Sequence, residues 1–128
     1  MNIRFVTKTV HAWLDYPVAA SLVVTPFIVG LGLTNPLALW VSVATGIVAF
    51  VLTAVTDHET GLIRVVPFAY HLMIDRLVGV VFVIVPFVLG FSGVDAWYYW
   101  ANAAAVLLVT TALNAPESTT PAVAPAHV

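Results

Sequence analysis

The sequence predicts an all-α membrane protein of four transmembrane helices, built as two parallel two-helix repeats about a pseudo-twofold axis along the membrane normal. Three observations lead there. The 128 residues are 62% hydrophobic and 8% charged, against about 45–50% and about 25% in a soluble domain. A chain this short has too little interior to hide so much apolar surface, and its mean hydropathy is +1.06. Four apolar runs, at 14–33, 37–55, 77–91 (reaching back toward Met73) and 96–113, each approach the roughly 20 residues a helix needs to cross a bilayer. Finally, a gapless shift of sixty places lays Ile3 on Ile63, Arg4 on Arg64, His11 on His71, Asp15 on Asp75, Pro26-Phe27 on Pro86-Phe87, Gly30 on Gly90 and Trp40 on Trp100. Such a repeat organises the whole chain.

The elements follow in order. Residues 1–56 form the first repeat, with helices at about 12–33 and 37–56. Helices are required because lipid offers no partners for bare backbone groups, and the runs lack the alternation of barrel strands. The first run is longer than the 7–15 apolar residues of a signal peptide, and its recurrence mid-chain marks it as part of the fold. A connection at 57–70 lies along the inner interface. The second repeat, 71–115, has helices at about 72–92 and 95–114, and the proline-rich tail 116–128 reads as disordered. The turns at 34–36 and 92–95 are short, so each pair of helices is an antiparallel hairpin. Each unit crosses twice, so both enter from the same side, unlike inverted-repeat transporters.

Charge sets the orientation. All four basic residues, Arg4, Lys8, Arg64 and Arg76, fall before the first helix or near the joint between the hairpins. The positive-inside rule makes that side cytoplasmic, with both termini inside. Trp13 and Tyr16 then anchor the inner interface, and Trp40, Trp97, Tyr98, Tyr99 and Trp100 the outer one. A net charge of −2 leaves no footprint for nucleic acid, and the absence of cysteine excludes disulfides and thiolate chemistry. The predicted partners are the lipid bilayer and a second copy or a larger membrane complex.

His11/Asp15 and its copy His71/Asp75 are the candidate site. A spacing of four stacks each pair on one helix face, and ionisable groups in a membrane segment are functional candidates by default. The leading expectation is a polar clamp between the hairpins, with Asp15–Arg76 or Asp75–Lys8 ion pairs. Two alternatives remain open: His11 and His71 hold haem, or all four residues hold a divalent transition metal; or Asp15 and Asp75 line a proton or ion pathway. No cofactor is predicted outright. Pro26 with Gly30, and Pro86 with Gly90, are expected helix bends. Ser42 and Gly46 form a small-residue contact, and Asn102 is expected to bond between helices. Thr56-Asp57-His58-Glu59 has the spacing of a capping box or is a polar turn, with His58 a solvated loop residue, as is His127.

Four segments carry a family resemblance: Val10-His11-Ala12-Trp13-Leu14-Asp15-Tyr16; Thr25-Pro26-Phe27-Ile28-Val29-Gly30; Thr56-Asp57-His58-Glu59-Thr60-Gly61-Leu62; and Tyr70-His71-Leu72-Met73-Ile74-Asp75. Together they resemble the small SPW-repeat membrane proteins of bacteria, in which each repeat spans two transmembrane helices and the first carries Ser-Pro-Trp. Here the motif reads Thr-Pro-Phe and Val-Pro-Phe. The resemblance covers all but the tail and implies the four-helix fold and a bacterial inner-membrane location, but no activity. The expected role is a non-enzymatic structural or accessory module of a membrane complex.

Overall fold

The computed structural model describes residues 3–116, which form four helices: α1 (Lys8–Ile28), α2 (Leu37–Val55), α3 (Phe68–Leu89) and α4 (Val94–Thr110). Among the described residues there is no β-strand. Two isolated parallel bridges pair Val6 with Asn114 and Thr56 with Val66. The tail beyond Pro116, including His127, lies outside the described residues.

Helices α1 and α3 begin about a turn earlier than the starts expected near 12 and 72, because the residue before the helix and not hydropathy sets the start. Thr7 is extended, and its hydroxyl accepts the Val10 N–H at 3.2 Å, satisfying one of the free donors of the first turn. Pro67 holds the same place before α3 and has no N–H of its own to satisfy. The histidines therefore fall in the first turn of α1 and α3, and each aspartate lies about one turn further in.

The two Pro-Phe-x-x-Gly motifs end their helices; they are not mid-helix bends. Gly30 and Gly90 take φ of +68° and +69°, a left-handed conformation that suits glycine. The next N–H in each case turns back: Leu31 donates to the Pro26 carbonyl at 2.8 Å and Phe91 to the Pro86 carbonyl at 2.9 Å. This is the six-to-one bond of a Schellman stop, and Leu31 and Phe91 are both buried beneath it. Helix α1 consequently stops at Ile28, short of residue 33. Pro26 also leaves the Leu22 carbonyl without its helical donor, and Ser42 of α2 supplies one, its hydroxyl donating at 2.8 Å.

Helix α1 packs along α2, and α3 along α4. In each hairpin a glycine permits close approach. A Cβ at Gly46 would lie 2.8 Å from the Ala19 carbonyl oxygen, and one at Gly79 2.7 Å from Leu107 Cδ2. The hairpins join at the turn end through an apolar core of Leu22, Leu31, Ala38, Phe82, Phe91, Ala96, Tyr99 and Ala103. Tyr99 is wholly buried and donates to the Ala38 carbonyl at 2.6 Å, so it is a core residue and not an interface anchor. Asp95 accepts from the backbone N–H groups of Gly32, Thr34 and Asn35 and from the Thr34 hydroxyl, tying the first turn to α4. Asn35 returns the link to the Leu89 carbonyl at 3.0 Å. Asn102, expected to reach another helix, donates to the Tyr98 carbonyl of its own.

Helices α2 and α3 are long and apolar enough to cross a membrane, while α4 has 17 residues. Trp13, Trp40 and Trp97 project outward, and Trp100 is half-buried with its indole N–H on the Val83 carbonyl at 3.2 Å. Tyr16 bonds the Thr60 carbonyl at 2.8 Å.

Candidate functional site: a buried imidazole and carboxylate centre

At the end opposite the turns, the starts of α1 and α3 meet the ends of α2 and α4. Backbone pairing sets this meeting. The Val6 N–H donates to the Leu113 carbonyl and the Ala115 N–H to Val6. At the other joint the Val66 N–H donates to the Val55 carbonyl and the Asp57 N–H to that of Val66. Each approach segment thus pairs with the closing segment of the other hairpin. Arg4 and Arg76 reinforce the joint by donating to carbonyls at the end of α4: Arg4 to Thr111 and Asn114, Arg76 to Thr110. Cations at a helix C-terminus complement its free carbonyls and dipole.

This geometry corrects the expected ion pairs. Arg76 is turned to Thr110, and Lys8 sits over the Phe68 ring at 5.8 Å. The carboxylates face histidines instead. His11 Nε2 lies 3.1 Å from Asp15 Oδ1 and 2.8 Å from Asp75 Oδ2; His71 Nε2 lies 3.3 Å from Asp15 Oδ2 and 3.2 Å from Asp75 Oδ2. The four residues named from the sequence are therefore brought together, each imidazole facing its own carboxylate and the one from the other hairpin. One ligand atom from each falls within a 4.8 Å group. His11 and His71 are both 2% exposed, more deeply buried than their place near helix starts implied.

A third imidazole joins them. His58, expected to be solvated, is 2% exposed and places Nε2 3.1 Å from Asp15 Oδ2. It arrives because the 57–70 connection folds back on α2: Leu62 and Ile63 donate to the Ala54 carbonyl. The Thr60 hydroxyl meanwhile fastens the connection to α1 through the Ala12 carbonyl at 2.8 Å. Thr56 closes α2 and so lies in a turn, not at a helix start. Its hydroxyl donates to the Leu52 carbonyl at 2.6 Å and lies 2.6 Å from His71 Nδ1. With its only hydrogen committed, Thr56 accepts from His71 Nδ1–H. Phe68 packs edge-on to His11 and stacks with His71, holding both rings in place. Three atoms around the centre, His11 Nδ1, His58 Nδ1 and Asn114 Oδ1, are buried without a hydrogen-bond partner.

The centre closes one end of a cavity of about 190 Å³ between the helices. Its walls are largely Val18, Leu22, Val48, Leu52, Val78 and Phe82. Four of its polar wall residues, Ser21, Thr45, Thr53 and Asn102, donate to carbonyls of their own helices. A haem does not fit between His11 and His71. Carboxylate oxygens within 3.3 Å of both Nε2 atoms occupy the plane a porphyrin would need, and the ring centroids are only 5.5 Å apart.

Compared with known proteins, the SPW repeat domain family matches residues 9–115. No curated protein and no solved structure matches the chain.

Proposed function

Because the chain belongs to the SPW repeat domain family, we propose that it is a non-enzymatic inner-membrane module of four spans, whose two hairpins insert in the same orientation with both ends on the cytoplasmic side. One observation carries the reading: the outward surface is apolar on all four helices. Val24, Phe27 and Ile28 on α1, Ile47, Phe50 and Val51 on α2, Val80, Ile84 and Phe87 on α3, and Trp97 and Leu108 on α4 are all exposed. Only 22% of the apolar window of α2, and the same share of α3, is buried within the molecule. A core helix of a soluble protein would be mostly buried, and a water-facing surface of this kind would aggregate. Lipid is the occupant it fits.

The arrangement of polar groups supports the same reading. Arg4, Lys8 and Arg64 cluster at the His/Asp end with Arg76, as a cytoplasmic face requires. The pseudo-twofold relation of the repeats is supported by the crossed backbone pairs and by the two matching helix stops. The carboxylates of the centre and the Nε2 atoms of its three histidines face one another, which favours a clamp that fixes the two hairpins over a substrate site. A module so closed suits a structural or accessory part of a larger membrane assembly. A carboxylate-lined proton path is supported less, because the cavity's polar walls are bonded back to their own helices.

The chain has no cysteine, so single cysteines report directly. Thr34→Cys in the first turn and Leu62→Cys in the connection should label with a membrane-impermeant maleimide from opposite faces, Leu62→Cys only after the cells are opened. Labelling of both from one face would overturn the four-span reading.

A further inference from the structure

We propose that His11 Nε2, His71 Nε2 and one carboxylate oxygen each from Asp15 and Asp75 form a four-coordinate site for a divalent transition-metal ion of the zinc class. The proposal goes beyond the membrane module above and does not depend on how many helices cross.

The Thr56 hydroxyl spends its hydrogen on Leu52 and accepts from His71 Nδ1–H. With that hydrogen on Nδ1, the lone pair of a neutral ring falls on Nε2, which faces Asp75 Oδ2 at 3.2 Å and Asp15 Oδ2 at 3.3 Å. A lone pair aimed at two anionic oxygens in a buried site is repulsive unless a cation lies between them. An outer-sphere partner that fixes the tautomer in this way is the usual accompaniment of a metal-bound histidine.

Distances separate the two cations that qualify, a proton and a metal. Charge-assisted N–H···O bonds run about 2.7–2.9 Å. Three of the four imidazole–carboxylate separations are longer, at 3.1, 3.2 and 3.3 Å. Ligands about 2.0–2.1 Å from a tetrahedral ion stand about 3.3 Å from one another; with Oδ2 of each aspartate as ligand, His71 Nε2 stands 3.2 Å from Asp75 and 3.3 Å from Asp15, and the 2.8 Å pair of His11 and Asp75 opens by about half an ångström. Each Nε2 also faces both carboxylates, and one N–H cannot point along two lines. Convergence on a common centre accounts for both features.

The chemistry of the donors selects the ion. Imidazole with carboxylate suits zinc and its neighbours, whereas calcium and magnesium take oxygen alone. Two aspartates match the double charge. His58 is not a ligand in this assignment: its Nε2–H donates to Asp15 Oδ2 and orients that carboxylate, as Thr56 orients His71. The walls beyond the centre are largely apolar, their polar side chains bonded back to their own helices, and a closed four-coordinate site of this kind is structural.

The test uses the full chain, free of any histidine tag, purified in detergent, stripped with chelator and titrated with Co²⁺. The expected result is one equivalent bound per chain, with the intense visible bands of tetrahedral cobalt, displaced by Zn²⁺. His71→Ala and Asp75→Asn should each abolish the bands. Thr56→Val, which keeps the ligands and loses only the orienting oxygen, should weaken binding about 10–100-fold. Helix content by circular dichroism shows that each variant is folded. Failure of the folded natural chain to bind cobalt overturns the proposal, as does binding that survives His71→Ala and Asp75→Asn. Neither outcome touches the cysteine-labelling result.

Discussion

His11, Asp15, His71 and Asp75 were legible in the sequence as candidates because spacing and repetition together singled them out. Spacing of four places a histidine over its own aspartate, but it says nothing of the aspartate on the other helix, and the 2.8 Å contact is to that one. The anticipated Arg76 and Lys8 pairings failed for a related reason. Complementary charge was visible, whereas the free carbonyls at the end of α4 that claim Arg76 exist only once the fold has formed. His58 and Thr56 were missed as parts of the centre. They lie in a turn whose return to α2 rests on non-local backbone pairs, and no local period marks it. If the cross-hairpin contact joins the halves, His11→Ala and Asp75→Ala are coupled. A double-mutant cycle on thermal unfolding in detergent should show non-additivity of about 0.5–3 kcal/mol. Additive losses would mean that each residue acts within its own hairpin.

The helices themselves were read from hydropathy, which locates apolar runs and blurs their ends. Thr7 shows why α1 starts early: a polar first turn is helical when a cap serves it; before α3 the fixed φ of Pro67 sets the entry without a side-chain bond. Gly30 and Gly90 show why proline misled. Pro26 and Pro86 each sit in the last turn before a left-handed glycine, so the motif is a stop. Close packing within the hairpins gives a sharper prediction. Gly46→Ala drives a methyl against the Ala19 backbone oxygen, which cannot rotate away, so the α1–α2 pair must separate at a cost of about 1–3 kcal/mol. Gly79→Ala meets only side-chain atoms, Leu107 Cδ2 and Cγ and Val106 Cγ1, and should lose less because these can shift. Chemical denaturation of the two variants side by side checks the order, and equal losses would count against the packing assigned to α1 and α2.

For the whole molecule, the repeat was the strongest signal in the chain and led to the view of two hairpins sharing one orientation. What it could not convey is how the hairpins exchange their ends. Val6 pairs with Asn114 while Thr56 pairs with Val66, so each half closes the other around the histidines. Asp95, read from sequence as part of a simple turn, locks the opposite end by holding the backbone of residues 32–35. The apolar exterior and these two polar locks describe a unit that is fixed inside and open to lipid outside. In that unit the approach to α1 and the end of α4 lie together on one face. Bridged residues stand about 4.8 Å apart, within the reach of a disulfide. Oxidation of a Val6→Cys/Asn114→Cys variant in membrane vesicles should therefore close the chain into a faster-migrating ring, reversed by reductant. Two thiols that stay free in the folded protein under the same oxidation would contradict it.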